Sequence, residues 1–305
     1  MDTLNQSLII DEVQAGSRLD VFLAAELPEA SRSHWKTLIT EGLVKVNGEN
    51  CKPNHKLQPG ERIDWVLPAM PPDQPLPEPI PLEVLFEDEA VVVINKPPGL
   101  VVHPAAGNET GTLVNALLFH DPVFAQLDRA GLVHRLDKDT SGVMVAAKTR
   151  LAMESLQGQF KDRHTEKEYL ALVWGIPPQS GRIETRIGRH PVNRKKQAVL
   201  KQGGREAVSE YRIEEGFREC SLVRVKIETG RTHQIRVHMA HLGHPIVGDR
   251  LYGRARKHRL PLQPERQMLH AVRLSFNHPE SGKRLSFEAP LADDMNRLLE
   301  CLREI

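Results

Sequence analysis

The 305-residue sequence is poor in cysteine, in aromatic residues and in net charge. Its three cysteines are scattered and form no Cys-x-x-Cys pair, so they indicate neither a disulfide framework nor a thiolate zinc site. Aromatic residues make up only 5% of the chain, which argues against a broad stacking platform but allows single stacking residues. No apolar run approaches the roughly 18 residues of a membrane span, and no signal-peptide pattern opens the sequence. These absences predict a cytoplasmic protein.

The formal net charge of +1 neither favours nor opposes a polyanionic partner, but the charge is uneven along the chain. Between residues 182 and 205 a single acid, Glu184, stands among eight basic residues: Arg182, Arg186, Arg189, Arg194, Lys195, Lys196, Lys201 and Arg205. Such clusters are typical of surfaces that contact phosphate groups, although a solvated loop has the same composition.

Half of the residues between Pro68 and Pro81, seven of fourteen, are proline. Because proline fixes φ and lacks a backbone donor, this segment is expected to be an extended, semi-rigid linker. It predicts a small first domain over residues 1–67, with its core from about residue 17, and a large second domain over residues 82–305. A hydrophobic content of 40% is sufficient for a packed core.

The first domain has the pattern of a helix–helix–strand unit. Apolar residues recur at helical spacing over residues 18–27, and Ser31 is a suitable N-cap for a second helix over residues 32–40. Residues 43–48 alternate in polarity and end in Asn-Gly, which is a strong signal for a β-hairpin. A further strand is predicted over residues 62–67.

The second domain is rich in predicted strands. Helices are predicted over residues 113–119 and 150–163, and strands over residues 82–85, 90–94, 132–133, 142–147, 169–174, 209–213, 221–227 and 271–276. Because the strands do not alternate regularly with helices, the pattern indicates an α+β domain with a mixed, largely antiparallel sheet.

The most informative stretch lies between two of these strands. Residues 131–142 read Gly-Leu-Val-His-Arg-Leu-Asp-Lys-Asp-Thr-Ser-Gly, with five ionisable side chains between two apolar runs. Unpaired charge in a protein core is costly, so we expect a cleft to open at this loop. Asp137 and Asp139 are its candidate catalytic carboxylates.

The segment His-Arg-Leu-Asp-x-x-Thr-Ser-Gly in this stretch resembles the signature of the RluA-type pseudouridine synthases. In that family the aspartate of Arg-Leu-Asp is catalytic, which implies Asp137 here. Two further blocks match in the expected order: Asn-Lys-Pro-Pro-Gly-Leu-Val-Val-His-Pro at residues 95–104, and Glu-Thr-Gly-Arg-Thr-His-Gln-Ile-Arg-Val-His at residues 228–238. The first domain is similar to the S4 RNA-binding module.

The resemblance implies a pseudouridine synthase fold, a mixed and largely antiparallel sheet with a central cleft, preceded by a small S4-like α+β domain. Within the family the chain is most similar to the bacterial type that acts on large-subunit (23S) ribosomal RNA. The implied activity is isomerisation of specific uridines in RNA. Because this reaction neither adds nor removes atoms, no cofactor is expected.

By the same resemblance, Arg236 is the charge partner of Asp137. Burial can raise the pKa of a carboxyl group by ~3–5 units. An opposite charge about 4 Å away contributes on the order of 4 kcal/mol at an effective dielectric of ~20, or about three pKa units. The effects are comparable, so an arginine partner decides whether the carboxyl is ionised. The residues themselves do not distinguish attack by Asp137 at C1′ or C6 from deprotonation of the sugar.

Tyr169, in Lys-Glu-Tyr, matches the family tyrosine that lies against the target base. The predicted RNA contacts are Arg32, Lys36 and Lys45 of the S4-like domain, Arg194, Lys195 and Lys196 of the basic segment, and Arg135 beside the carboxylate. Arg135 has three possible roles, since it can fill the space left by an extruded base, bind phosphate, or hydrogen-bond the loop backbone.

Other polar residues of the motifs are predicted to have structural roles. Asp139 is expected to support Thr140 and Ser141 as a turn or N-cap acid. His103 and His134 are expected to form structural hydrogen bonds around the cleft rather than to act as acid or base.

A dense polar patch, made of His233, His238, His241, His244 and Asp249, raises the alternative of a metal site. No His-Glu-x-x-His occurs, and Arg236 lies within the patch, where a guanidinium would repel a cation. Metal binding is therefore not expected.

Three alternatives to an enzyme of ribosomal RNA stay open at this point. The same chemistry on tRNA or another structured RNA fits the same residues. A non-catalytic RNA-binding factor in ribosome assembly would use the same surfaces without modifying RNA. A metal-dependent nuclease would cleave RNA and be sensitive to chelators.

Overall fold

The computed structural model describes residues 5–27, 30–66, 75–105, 107–253 and 260–304. The chain divides into two compact units, Met1–Gln74 and Pro75–Ile305. Each unit has its own hydrophobic core. Among the helices of these described ranges, none has both the length and the apolar composition needed to cross a membrane.

The smaller unit packs two helices on a four-stranded antiparallel sheet of order β1-β4-β2-β3. Its elements are β1 (Asn5–Ile9), α1 (Leu19–Glu26), α2 (Arg32–Thr40), β2 (Val44–Val46), β3 (Glu49–Asn50) and β4 (Arg62–Val66). Both predicted helices are confirmed, and the Ser31 hydroxyl caps α2 by accepting a hydrogen bond from the His34 N–H at 3.3 Å. Trp35 and Leu23 are fully buried between helices and sheet.

The predicted hairpin is also confirmed. Asn47 and Gly48 have φ of +51° and +82°, the left-handed pair that a tight two-residue turn requires. Strand β1 was not predicted, because none of residues 6–9 is buried and Ile9 is 68% exposed.

The larger unit is built on a ten-stranded sheet. Its strands are β5 (Glu83–Glu87), β6 (Val91–Lys96), β7 (Ser141–Ala147), β8 (Glu166–Trp174), β9 (Ser180–Arg189), β10 (Gln197–Val199), β11 (Arg205–Gly216), β12 (Cys220–Ile227), β13 (Leu269–Asn277) and β14 (Arg284–Glu288). Its helices are α3 (Leu113–His120), α4 (Arg150–Lys161), α5 (Gln234–His241) and α6 (Asp293–Arg303). The predicted α+β class is confirmed.

The sheet order is β10-β9-β11-β12-β8-β13-β7-β6-β5, and β14 pairs with β13. Every strand pair is antiparallel except β7 with β13. The sheet is therefore mixed and largely antiparallel, as predicted.

The parallel contact of β7 with β13 needs a glycine. Gly142 has φ of +116°, and a Cβ atom there would lie 2.2 Å from the carbonyl oxygen of Ala271. The backbones can approach so closely only without a side chain. The contact fixes the start of β7, immediately after the loop that carries Asp137.

The prediction of a strand at residues 132–133 is wrong. The segment Asp128–Gly131 forms a short 3-10 turn, and Leu132 makes a single bridge to Ala146. Arg129 and Ala130 have φ of +53° and +51°, which breaks any extended run. The chain therefore enters the Asp137 loop from a turn and leaves it along a strand.

The described part of the proline-rich segment belongs to the larger unit, while residues 67–74 lie outside the described residues. The Asn115 side chain of α3 donates to the Leu76 carbonyl at 2.7 Å, and the Glu78 N–H donates to the Asn115 carbonyl at 3.0 Å. The second half of the segment is thus extended and hydrogen-bonded to α3. The domain boundaries at residues 67 and 82 stay predictions.

Candidate active site

A cleft of about 500 Å³ opens in the larger unit at the loop that carries Asp137. Its walls come from this loop, the end of α4, the start of β8 and the segment that leads into α5. The charged residues among its lining are six cations, Arg135, Lys161, Arg163, Lys167, Arg231 and Arg236, and two acids, Asp137 and Glu228. This excess of positive charge favours an anionic ligand.

The structure places Asp137 and Arg236 in direct contact. The Nη1 of Arg236, on α5, donates to Oδ2 of Asp137 at 2.9 Å, across 99 positions of sequence. The side chain of Asp137 is 21% exposed, so one face of the carboxylate is open to the cleft. The two side chains therefore form an ion pair at the wall of the cleft.

Asp249 holds the other side of Arg236. Its fully buried carboxylate accepts from Nε at 2.7 Å and from Nη2 at 3.0 Å, and also from the backbone N–H groups of Leu251 and Tyr252. Burial alone would raise the pKa of Asp249, but the hydrogen bonds and charge of Arg236 lower it below its usual value. Burial lowers the pKa of Arg236, but the hydrogen bonds and charges of Asp249 and Asp137 outweigh it and raise the pKa, so Arg236 is a fixed cation.

Tyr252 and His233 complete the surroundings of Arg236. The guanidinium carbon lies 5.2 Å from the ring centroid of Tyr252, a cation–π contact. The Tyr252 hydroxyl accepts from the Gln197 N–H at 2.7 Å and lies 2.8 Å from Nδ1 of His233. Burial lowers the pKa of His233, whose Nε2 is 3.9 Å from Oδ2 of Asp137.

Tyr169 lies on β8 and lines the same cleft. Its side chain is buried, with 9% of the residue exposed. Burial, and then the negative charge of Asp137, raise the pKa of the Tyr169 hydroxyl. The hydroxyl therefore stays protonated at neutral pH.

The expected role of Asp139 is wrong. Thr140 donates its N–H to the backbone carbonyl of Asp137 at 3.1 Å, which closes the turn without the Asp139 side chain. Asp139 contributes its own carbonyl instead, which accepts from Nη1 of Arg266 at 2.9 Å. The loop is stabilised through backbone groups, so an N-cap carboxylate is not needed.

Lys96 holds the loop that carries Asp137 in place. Its fully buried ammonium donates to the carbonyls of Pro97 at 2.8 Å, Leu100 at 3.0 Å and Lys138 at 3.0 Å. The Gly99 N–H donates to the same Lys138 carbonyl at 3.0 Å. The block at residues 95–104 thus supports the loop that carries Asp137.

His134 has the structural role expected of it. Its Nε2 accepts from the Val145 N–H at 3.1 Å, and its ring stacks on Phe160 at 4.6 Å. Burial lowers its pKa to about 3, so the ring is neutral. Burial and nearby arginines also lower the pKa of His103.

The polar patch around α5 is not arranged as a metal site. His238 contacts the hydroxyls of Thr185 at 2.8 Å and Ser209 at 2.9 Å, and His244 lies 2.9 Å from the Trp174 carbonyl. Within the described ranges, no three His, Cys, Asp or Glu side chains are grouped as a metal ion requires. That no metal or cofactor is needed stays a prediction.

The predicted RNA contacts lie in three places. Arg135 is exposed at the cleft. Arg194 and Lys195 are exposed in the turn between β9 and β10, outside the cleft lining, and the Lys196 ammonium lies 5.9 Å from the Tyr252 ring centroid. The basic segment is thus connected to the Arg236 site through Tyr252.

The three contacts predicted in the smaller unit are on α2 and β2. Arg32 and Lys36 surround the fully buried carboxylate of Asp20 at 3.0 and 3.7 Å, and Arg18 approaches it at 2.9 Å. Lys45 is exposed on β2. The side chains of Arg18, Arg32 and Lys36 therefore lie together around Asp20 at one surface of this unit.

Sequence reasoning missed the roles of Asp249 and Tyr252. Asp249 was considered only as a possible metal ligand, although it follows the short apolar run of residues 245–247, a place where an isolated acid needs a partner. No pattern pointed to Tyr252, which acts through the contacts of its ring and hydroxyl.

Comparison with known proteins identifies the family. Residues 90–241 match the family described as RNA pseudouridylate synthase, and residues 17–63 match the S4 domain. The ribosomal large subunit pseudouridine synthase D of Neisseria meningitidis serogroup A is 50% identical over 299 residues, which cover 95% of this chain and 79% of that protein. The protein of the same name from Xanthomonas campestris is 46% identical, covering 100% and 94%.

A solved structure agrees with these matches. Human RNA pseudouridylate synthase domain containing 4 superposes with a TM-score of 0.56 at 27% identity, covering 72% of this chain and 93% of that one. The chain therefore belongs to the RNA pseudouridylate synthase family, and it is an enzyme that isomerises uridine to pseudouridine in RNA.

Proposed function

We propose that this enzyme modifies uridines of large-subunit ribosomal RNA in the cytoplasm, with Asp137 as its catalytic carboxylate. The residue assignment rests on one observation, the Asp137–Arg236 pair at the wall of the cleft. The target is supported by the two bacterial relatives, both named for the large ribosomal subunit.

The reaction breaks the bond between N1 and C1′, turns the base, and joins C5 to C1′. The proton on C5 is lost and N1 gains one, so atoms balance. In the proposed site, Asp137 acts directly on the nucleotide, and Arg236 is its charge partner. The protonated Tyr169 lies against the base, where stacking of this kind contributes roughly 1–3 kcal/mol.

The target uridine must leave its stack to reach the cleft, which costs a few kcal/mol and is easiest in a loop. The excess of cations along the cleft fits the phosphates on either side of such a nucleotide. We further propose that Arg135, the basic turn at residues 194–196, and Arg32, Lys36 and Lys45 of the S4 unit hold the RNA.

The test of the catalytic residue is Asp137→Asn, with Asp139→Asn as the matched control from the same loop. Tritium release from RNA labelled at C5 of uridine measures turnover, and filter binding measures affinity. We expect Asp137→Asn to abolish release and keep binding, while Asp139→Asn stays active. Full tritium release by Asp137→Asn would falsify the assignment. RNA binding without release by the wild type would favour a non-catalytic assembly factor.

The test of the target is a map of pseudouridines in cells that lack the gene. We expect specific positions of large-subunit ribosomal RNA to remain uridine, and to be restored by wild type but not by Asp137→Asn. Loss of pseudouridine from tRNA alone would instead assign the same chemistry to a different RNA.

A further inference from the structure

Lys167 is a largely buried lysine for which the described ranges of the chain show no anionic partner. It lies on β8, is only 7% exposed, and lines the cleft. Within the described ranges its ammonium has no hydrogen bond and no carboxylate within ion-pair distance. The ammonium does make a cation–π contact with the ring of Phe160, whose centroid is 5.7 Å away.

Other buried cations of this unit are fully partnered. Arg236 binds the carboxylates of Asp137 and Asp249. Arg266 binds Asp294, and the Lys96 ammonium donates to three backbone carbonyls. A buried charge is normally compensated in this way because desolvation is costly. Lys167 differs from these three side chains, because the described ranges show no such partner for it.

The neighbours of Lys167 add positive charge. Burial, followed by the charges of Arg163 and Arg231, lowers the pKa of Lys167 to about 8. Glu206 is the acid that pairs with Arg163, and its carbonyl accepts from Nε of Arg231 at 2.7 Å. The two acids that line the cleft are also paired, Glu228 with Arg182 and Asp137 with Arg236. Among the described residues, Lys167 is thus the cation of this cluster whose ammonium is available to an anionic ligand in the cleft.

The position of Lys167 on β8 indicates which anion. Lys167 and Tyr169 are two residues apart, so they lie on the same face of the strand, about 6.6–6.8 Å apart along it. When Tyr169 contacts the target base, the Lys167 ammonium lies at a distance that suits an adjacent group of the RNA backbone. A phosphodiester is a permanent anion, and a lysine ammonium is well suited to bind it as a point charge.

We propose that Lys167, flanked by Arg163 and Arg231, forms a subsite that binds a backbone phosphate flanking the target uridine. This inference rests on the proposed function, because it names a substrate contact of the same cleft. Lys167 acts in binding and not in the chemical step.

The first experiment compares Lys167→Met with Lys283→Met, an exposed lysine before β14 and outside the cleft. RNA affinity is measured at several salt concentrations, and turnover by tritium release. We expect Lys167→Met to weaken RNA binding about tenfold and to reduce the slope of log affinity against log salt by about 0.7–0.9. We expect kcat to stay within about threefold and Lys283→Met to match the wild type.

The second experiment removes the charge from the RNA instead of from the protein, and compares the effect on wild type with the effect on Lys167→Met. Single methylphosphonates replace the phosphates on the 5′ and 3′ sides of the target uridine. We expect one of them to weaken wild-type binding about tenfold and to have no further effect on Lys167→Met. Equal sensitivity of both proteins to both substitutions would overturn the proposal.

The outcomes separate this inference from the proposed function. A fall in kcat with unchanged affinity would place Lys167 at the detached uracil and contradict a phosphate subsite. Failure of the wild type to form pseudouridine in any ribosomal RNA would contradict the proposed function, while the methylphosphonate result would still decide the subsite.

Discussion

Arg236 binds two carboxylates that differ in burial and in the number of hydrogen bonds that they accept from it. Asp249 is fully buried and occupies Nε and Nη2, whereas Asp137 is partly exposed and takes only Nη1. In the described part of the chain, Oδ1 of Asp137 accepts no hydrogen bond. Asp249 therefore fixes the guanidinium, and Asp137 keeps an oxygen free to meet a substrate.

We expect Asp249→Asn to lower kcat by about 10- to 100-fold while RNA affinity stays unchanged, because Arg236 loses its orientation. Removing one partner of a buried ion pair also costs about 3–5 kcal/mol, so the melting temperature should fall. Tritium release, filter binding and thermal unfolding test this. Asp162→Asn, an exposed acid after α4, is the control. A normal kcat in folded Asp249→Asn would show that Arg236 does not need this carboxylate.

The sequence predicted the contact between Asp137 and Arg236, but not the hydrogen bonds by which Asp249 holds Arg236 in place. Asp137 and Arg236 each lie in a motif that resembles the family, so their contact followed from the resemblance. Asp249 lies outside these motifs, and its contact with Arg236 exists only because residues 242–248 turn the chain back on α5. Nothing in local spacing encodes that turn.

At the level of elements, Arg266 connects the last helix to the Asp137 loop. Its Nε and Nη2 both lie 2.7 Å from the carboxylate of Asp294, in the first turn of α6. Its Nη1 donates to the Asp139 carbonyl. Burial raises the pKa of Asp294, but the hydrogen bonds of Arg266 outweigh it, so the net shift is downward. Helix α6 thereby stabilises a loop far from it in sequence.

We expect Asp294→Asn to lower both the melting temperature and kcat, the latter by about threefold to tenfold, because a displaced loop misplaces Asp137. Asp293→Asn is a matched control, since Asp293 lies in the same first turn and is exposed. Both variants remove one acid from the helix N-terminus, so only the contact with Arg266 distinguishes them. Identical kinetics in the two variants would contradict this role of Arg266.

The parallel contact of β7 with β13 gives a second prediction at this scale. We expect Gly142→Ala to prevent folding or to destabilise the larger unit severely, since the new Cβ would lie 2.2 Å from the Ala271 carbonyl oxygen. The control is Gly158→Ala on α4, where a Cβ meets nothing within 4 Å. The free energy of unfolding of that variant should rise by about 0.5–1 kcal/mol. Urea unfolding measures both, and a native-like Gly142→Ala would contradict the close approach.

Strands with a buried face were predictable, and exposed strands were not. Strand β7 is buried at every position, and its apolar run was recognised. Strand β9 buries only Ile183 and Ile187 among charged residues, and β14 has no buried position, so neither gave a clear pattern. Such strands are held by pairing with neighbours, which a local window does not contain.

At the scale of the whole molecule, the two units have separate cores and different tryptophans. Trp35 and Trp65 belong to the smaller unit and Trp174 to the larger. The smaller unit also contains the fully buried Asp20. Burial would raise its pKa, but hydrogen bonds and charges from Arg18 and Arg32 lower it below 3.8.

This lowered pKa makes the smaller unit sensitive to acid. A carboxyl with a lower pKa in the folded state stabilises it fully above its unfolded value of 3.8, and this contribution is lost as pH falls through the folded value. We expect urea unfolding, followed by tryptophan fluorescence, to show a larger loss of stability from about pH 5 to about pH 3 in wild type than in Asp20→Asn.

The control is Asp64→Asn, which removes a partly exposed acid paired with Arg62 in the same unit. It should keep the wild-type difference between the two pH values. If Asp20→Asn shows that difference undiminished, the buried carboxylate is not the source of the acid sensitivity.

Strand β13 lies between β7 and β8, although residues 269–277 come late in the chain. Without that segment, nothing in the strand order pairs β5–β7 with β8–β12, and β7 and β8 would each present an open edge. The sheet of the larger unit can therefore be completed only after residues 269–277 have been made. A product that stops before residue 269 would expose two unpaired edges and be prone to aggregate.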